Sequence, residues 1–371
     1  LSELIDTLAA MNGQRSSEWA AKHVLQHPLQ AFSPRYFSAD ALSDGLISSR
    51  SDYAAALNQP QAQTAAFFSA PLNEAATDAV IEQENFLRFW RNPVRHWLQH
   101  TLSWHAPYAD EAWDAAEPFD PPHSSRITEA YTQARRAHQD FGQTASRLSA
   151  ESLLPEGELG HLWQQQFQAA AKSLDGELLA SPKLPPQPCR LSLGENTLEG
   201  SLGHLHQHGQ IYFLNRTPSA PDMLAYLLQH LIFCAVRPHE HPEYRTHLLL
   251  PGQSQTLADI PQAAARAQLA QWLAYFRLGQ SRPLPFFAKT GLAVAEVLSS
   301  NKADSLERAQ QTARSEYRGS KKSTGQRDYI EVDLVFGRDS TEPIDTPLFW
   351  NLLEDLPVPL LQALQAEAGE E

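Results

Sequence analysis

Between residues 188 and 250 the chain carries a pattern that few folds accommodate. Three short alternating runs are followed by a capped apolar helix and one further run. CRLSL, LEGSLGHL and QIYFLNR read as strands over 188–194, 198–206 and 210–217. The last two flank a polar turn, His206-Gln207-His208-Gly209, and so predict a β-hairpin. Ser219 with Asp222 three residues on forms a capping box. Met223, Leu224, Leu227, Leu228, Leu231 and Ile232 then give a helix over 220–236 its apolar stripe. YRTHLLL (244–250) reads as another strand. A helix over 158–180 precedes the set, with Leu159, Leu162, Trp163, Phe167, Ala170, Leu174 and Leu178 on one face. The order is α-β-β-β-α-β.

The remainder reads as helices added to this core. Residues 1–75 are expected to form a mostly helical piece interrupted by an extended segment, HPLQAFSPRYF (27–37), held open by Pro28 and Pro34. Residues 76–371 are expected to form the second domain. It enters through an apolar helix from Ile81 to Leu102, which carries Phe86, Phe89, Trp90, Val94 and Trp97 and is kinked or split at Pro93. After the core, 258–316 returns to helix, DYIEVDLVF (328–336) alternates like a strand, and a last helix lies within 346–365.

Composition narrows the function classes. A formal net charge of −14 excludes a general nucleic-acid binder, because affinity for phosphate rests on Lys and Arg. Any DNA contact must be local. No apolar run reaches the length of a membrane span. Two cysteines, Cys189 and Cys234, at unpatterned spacing suit a reducing cytoplasm. The chain opens on Leu1 without a basic-then-apolar leader, so an excised, non-secreted fragment is expected.

The hairpin followed by a helix resembles the unit at the centre of metal-dependent nucleases of the PD-(D/E)XK type. Those enzymes place one acid near the end of the first strand and an acid-x-Lys near the end of the second. Laid on that pattern, the acid positions hold Gly203 and Leu214, and the Lys position holds Arg216. A Mg²⁺ ion needs hard oxygen ligands, which glycine and leucine lack. Glu199 shares the strand face of Gly203 but lies four residues away, roughly 13 Å at about 3.3 Å per residue. Arg216 keeps a charge without the compact ammonium of lysine. The resemblance therefore implies an α/β fold built on a degenerate PD-(D/E)XK nuclease-like core with many additional helices. No catalytic residues, no metal and no cofactor are expected.

Longer segments carry a second resemblance. HPLQAFSPRYF, FLRFWRNPVRHWL (86–98), LLPEGELGHLW (153–163) and PLPFFAKTGLAV (283–294) are similar to segments of the C-terminal region of the RecC family, the gamma subunits of exodeoxyribonuclease V. That resemblance implies a non-catalytic subunit of a RecBCD-type helicase–nuclease. It would support duplex splitting, strand guidance and subunit docking in double-strand break repair and recombination. Its partners would be RecB-like and RecD-like subunits and double- and single-stranded DNA, in the cytoplasm and without a membrane.

Other constellations in the sequence admit both a functional and a plainer reading. GSKKSTG (319–325) lacks the glycine spacing of a phosphate-cradling loop. As the densest basic stretch it is a candidate DNA-backbone contact through Lys321, Lys322 and Arg327, with Arg314 and Arg318 behind them; the plainer reading is a solvated loop. His204, His206 and His208 share one strand parity and so form a possible Zn²⁺ donor set, or simply a wet hairpin end. His239 and His241 flank Glu240 in a second such group. Phe86, Phe89, Trp90 and Trp97 either stack bases or fill a core or interface. Two rival functions stay open: a working nuclease with acids recruited from Glu158, Glu199 or Asp222, and a protein-binding module unrelated to DNA.

Overall fold

The computed structural model describes residues 2–58, 66–68, 70–72, 80–105, 123–214, 216–238, 243–250, 253–300, 304–320, 323–337, 339 and 341–368. The chain divides into two compact units, Leu1–Ala65 and Ala66–Glu371.

The first unit holds helices α1 (Ser2–Met11), α2 (Ser16–His23) and α3 (Ser51–Asn58), with a 3₁₀ turn at Pro34–Phe37. Its buried apolar residues among those described are Ala9, Ala41 and Leu46. Larger side chains face outward: Leu29 is 95% exposed and Phe32 56%, both within HPLQAFSPRYF. That segment is not extended throughout, since Pro34 starts the 3₁₀ turn with the φ that proline fixes.

The second unit opens with strand β1 (Val80–Glu82), then α4 (Gln83–Arg91) and α5 (Pro93–Leu102). Pro93 splits the helix as expected, and Asn92 supplies the new cap by accepting from the Arg95 amide at 3.0 Å. Ile81, read from sequence as the first helical residue, is instead paired in a strand. Three helices follow, α6 (Ser124–Arg136), α7 (Phe141–Ala150) and α8 (Gly157–Ser173), and they bury a small core of their own around Ile127, Tyr131, Leu148 and Leu154. The helix expected over 158–180 is broken. It stops at Ser173, and Asp175 caps a short α9 (Gly176–Ala180) by accepting from the Glu177 and Leu178 amides. Its apolar face is only partly used, since Trp163 and Phe167 pack while Leu159 and Leu162 stay exposed.

The strands come next: β2 (Gln187–Leu193), β3 (Asn196–Leu202), β4 (Leu205–His206) and β5 (Gly209–Phe213). Helix α10 (Ala220–Val236) leads to β6 (Thr246–Leu250) and β7 (Gln253–Leu257). The expected strand over 198–206 is interrupted, because His204 adopts a left-handed φ of 55°. The break parts the strands into two sheets. One has the order β1-β3-β2, with β1 parallel and β2 antiparallel to β3. The other has the order β4-β5-β6-β7, in which β5 and β6 are parallel and joined by α10. The hairpin is thus the short pair β4–β5, turning at Gln207-His208. Gly209 has φ +99°, and a Cβ there would collide with the Arg245 carbonyl.

Helices complete the unit: α11 (Gln262–Ser281), α12 (Ala288–Ser299), α13 (Ser305–Arg318), α14 (Ile330–Phe336), α15 (Pro347–Asp355) and α16 (Pro357–Ala368). A two-stranded hairpin, β8 (Gly319–Ser320) with β9 (Ser323–Thr324), follows α13. The alternating stretch DYIEVDLVF is helix rather than strand. Val332 and Val335 enter the core one turn apart, and buried Glu331 meets Arg95 and the Asn92 amide, each at 2.7 Å. Alternation here reflects two helical contacts of opposite chemistry.

The aromatic residues of α4 and α5 are core. Phe86, Phe89, Trp90 and Trp97 are all buried, and Trp90 stands edge-on to Trp272 (4.6 Å) and Phe286 (5.3 Å). α10 lies at the centre and is buried nearly all round from Leu227 onward. Its cap differs from a capping box. Ser219 Oγ donates to the Asp222 carboxylate at 2.7 Å and makes no bond to the helix amides.

α10 contributes a polar side chain, His230, to its own core. His230 Nε2 donates to the Ala258 carbonyl (2.7 Å), so the neutral ring presents Nδ1 as acceptor to the Thr246 hydroxyl (2.8 Å). Gln210 lies against the same hydroxyl (3.3 Å) and donates onward to the Gly203 carbonyl (3.1 Å). Burial pushes the His230 pKa down to about 4. An unfolded histidine titrates near 6.5, so below that pH the unfolded chain takes up a proton that the folded one refuses. This contribution to stability is complete above about 6.5 and is lost progressively as pH falls toward 4, by up to roughly 3 kcal/mol. His96, pushed to about 3 by burial, acts in the same direction. Urea unfolding at a series of pH values should show this decline, and His230→Asn should flatten part of it. A wild-type stability that is level from pH 7 to 4.5 would refute the assignment.

Candidate functional site

The three positions that a nuclease would fill with acids and lysine are set by the ends of β3 and β5. Gly203 follows β3, and its carbonyl accepts from Gln210 Nε2. Leu214 follows β5 and is tied to β6 by its amide, which donates to the Leu249 carbonyl at 2.8 Å. Arg216 is exposed. Nothing lies within 4 Å of a Cβ built on Gly203, so the glycine is not there to make room for a neighbour.

The alternative acids are occupied elsewhere or stand apart. Glu199 bridges to Arg190 across the β2–β3 pair at 2.7 Å, and Asp222 is held by Ser219 and lies 3.6 Å from Arg91. Glu158 is exposed in the first turn of α8. Among the described residues no three His, Cys, Asp or Glu side chains form a group that would hold a metal ion. The shared parity of His204, His206 and His208 is lost where the strand breaks. His204 stacks near Tyr212 (4.4 Å between ring centres), His206 Nδ1 donates to the Ser181 carbonyl (3.0 Å), and His208 sits in the turn 3.9 Å from Glu243. His239, Glu240 and His241 lie outside the described residues.

Around the basic loop, Arg314 faces Asp345 (3.8 Å), Arg318 grips Glu342 through two nitrogens (2.9 and 2.7 Å), and Arg327 lies 3.5 Å from Asp328. Lys321 and Lys322 fall outside the described residues. Each of the three arginines has a carboxylate beside it and would have to give up that ion pair to meet a phosphate. A neighbouring hollow lined by Asp328, Asp333, Asp339 and Glu342 adds negative charge.

A feature that no short sequence motif marks lies beside Leu214. A cleft of about 360 Å³ opens between α6 and the β4–β5 strands. From α6 come Ser125, Thr128, Glu129, Thr132, Gln133 and Arg136, which share one face at spacings of three and four residues. Opposite them stand Lys183, His204 and His206, over a floor of Leu174, Ile211, Phe213 and Leu214. Burial pushes the pKa of both histidines down, and Lys183 adds to the effect, with Arg136 also bearing on His206. The rings are neutral at pH 7, and the cleft's positive charge rests on Arg136 and Lys183. The polar periodicity from Ser125 to Arg136 is the sequence signal that would have pointed here.

The two backbone environments make a direct stability comparison. Gly203→Asp should change the unfolding free energy by no more than about 0.5 kcal/mol, because the site is open and φ there is not left-handed. Gly209→Ala should cost well over 1 kcal/mol through strain and the Arg245 clash. Equal losses in chemical denaturation would contradict this account of the strand ends.

No curated protein matches the chain. Residues 78–299 match the model of the RecC C-terminal domain, a span running from β1 through α12 and including both sheets, α10 and the cleft. That match covers more than half of the chain, which therefore belongs to the RecC C-terminal domain family.

Proposed function

We propose that this chain is a non-catalytic, DNA-guiding and subunit-docking region of an exodeoxyribonuclease V gamma subunit. The observation that carries the reading is the chemistry at the strand ends, where Gly203 and Leu214 flank the β4–β5 hairpin of a hairpin–helix–strand unit within a RecC C-terminal domain. Neither side chain offers an oxygen to a divalent cation. The unit retains the parallel β5–α10–β6 crossover, which supports descent from a PD-(D/E)XK nuclease core although its strands are shared between two sheets.

Within a RecBCD-type assembly the region would help to split the duplex, guide the separated strands and hold RecB-like and RecD-like subunits. Its charge of −14 supports protein contact over much of its surface. The exposed Leu29 and Phe32 in HPLQAFSPRYF supply apolar contact area for such a role. The aromatic residues of α4 and α5 do not, since they are consumed by the core. DNA contact by the basic loop would rest on Lys321 and Lys322 first, with Arg327, Arg314 and Arg318 contributing only after release from their carboxylates.

Two experiments test this reading. The purified chain should not cleave linear DNA with Mg²⁺ or Mn²⁺, and paired Gly203→Asp and Leu214→Asp changes should at most restore metal binding, because activity also needs groups that orient the metal ligands. Divalent-dependent cleavage by the unmodified chain that co-purifies with it through successive columns would overturn the non-catalytic assignment. For docking, a RecD-like subunit should be retained by the intact gamma chain and lost when residues 188–371 are deleted. Full retention by a deleted chain that still folds would move docking elsewhere.

A further inference from the structure

We propose that the cleft between α6 and the β4–β5 strands binds a nucleotide, its phosphate held by Arg136 and Lys183 and its base laid on the Phe213–Leu214 floor. The proposal rests on the DNA-guiding reading only for the source of the nucleotide.

Three observations converge. The first is charge without partners. Lys183 has no ion pair among the described residues, and Arg136 makes only a 3.3 Å bond to the Ser181 carbonyl. In a chain of net charge −14, two cations in one cleft without carboxylate partners are a local anion trap. One carboxylate, Glu129, also lines the cleft; it accepts from Gln133 Nε2 at 3.0 Å and bridges to neither cation.

The second is a hydroxyl on the cleft wall. Thr132 is 7% exposed and lines the cleft. A threonine hydroxyl there can donate to or accept from a polar group of a bound molecule. Thr132 belongs to a helix face polar along its whole length, while the opposite face, with Ile127, Ala130 and Tyr131, is spent on the α6–α8 core.

The third is the pairing of surfaces. A polar, cationic wall faces an apolar floor across about 360 Å³, a volume within the range of small-ligand pockets. Phosphate alone would not use Ile211 and Phe213, and an apolar ligand would leave Arg136, Lys183 and Thr132 unmet. A nucleotide presents both chemistries in one molecule. His206 adds selectivity. With Nδ1–H given to Ser181, its Nε2 is a lone-pair acceptor, suited to a base or sugar donor rather than to phosphate.

The test uses the full chain with thymidine monophosphate and a short fluorescein-labelled oligothymidylate, read by anisotropy. Both probes should bind, and the double variant Arg136→Ala/Lys183→Gln should weaken binding at least tenfold. On the oligonucleotide it should also reduce the slope of log affinity against log salt by about 1.4. Glu129→Gln should tighten binding several-fold, a gain that a merely structural role would not produce. Tighter binding of the oligonucleotide than of the monophosphate identifies a DNA strand as the source, whereas equal binding identifies free nucleotide. Loss of DNA binding on changing Lys321 and Lys322, with thymidine monophosphate still bound, would separate the basic loop's role from the cleft's. Should the double variant fail to fold, photo-crosslinking of an iodouridine oligonucleotide to the unmodified chain decides. Crosslinks within 125–136 or 204–214 support the proposal. Crosslinks wholly elsewhere, no binding of either probe, or unchanged affinity in a folded double variant overturn it.

Discussion

Helix α10 has no side on which water can compensate for a lost neighbour, and the second unit is arranged around that fact. Ten of its seventeen residues are buried, including Leu224, Leu228, Leu231 and Phe233. Each large apolar side chain contributes about 1.5–3 kcal/mol when taken out of water. The helix also fixes topology. As the connection between β5 and β6 it obliges these strands to be parallel, and both are buried along most of their length, as parallel strands generally are. The polar line from His230 through Thr246 and Gln210 to the Gly203 carbonyl pins helix to sheet at one register, because a shifted helix would strand a buried imidazole among apolar groups.

How much of this was legible in the sequence depends on where the information resides. Strong periodicity carried α10, the β2 and β6 strands and the Pro93 break, because in each the buried face and the local propensity agree. It failed at 330–336, where Glu331 is buried by a partner 236 residues away in the chain and so mimics the alternation of a strand. It failed again at His204, where a single left-handed residue divides one predicted strand between two sheets. No composition rule announces such a residue when it is not glycine. β1 was read as helix because Ile81 continues the apolar pattern of α4, and only its partner β3 makes it a strand.

Motif logic points to Gly203, Leu214 and Arg216 by what their side chains lack, and needs no folded structure to do so. The cleft beside them is not legible in this way, because Arg136, Lys183 and the histidines come from separate elements and no short motif unites them. The reverse holds for the basic loop. It stood out by local density of charge, yet its arginines are matched by Asp345, Glu342 and Asp328. Density along a chain overstates a charge that the fold has already neutralised, and it misses one that the fold assembles.

The parallel pairing of β1 with β3 has a consequence for biosynthesis. Val80 aligns with Thr197, so the strand and the aromatic helix attached to it are made more than a hundred residues before their partner. Until β3, α10 and α11 have been translated, Phe86, Phe89 and Trp90 have one another and His96 but lack Trp272, Phe276 and the rest of their core. At ordinary elongation rates of about 5–20 residues per second, that interval lasts from several seconds to tens of seconds. The nascent chain therefore carries an aromatic segment without its long-range partners through much of its synthesis, and exposed apolar surface of that kind is where aggregation or chaperone capture begins.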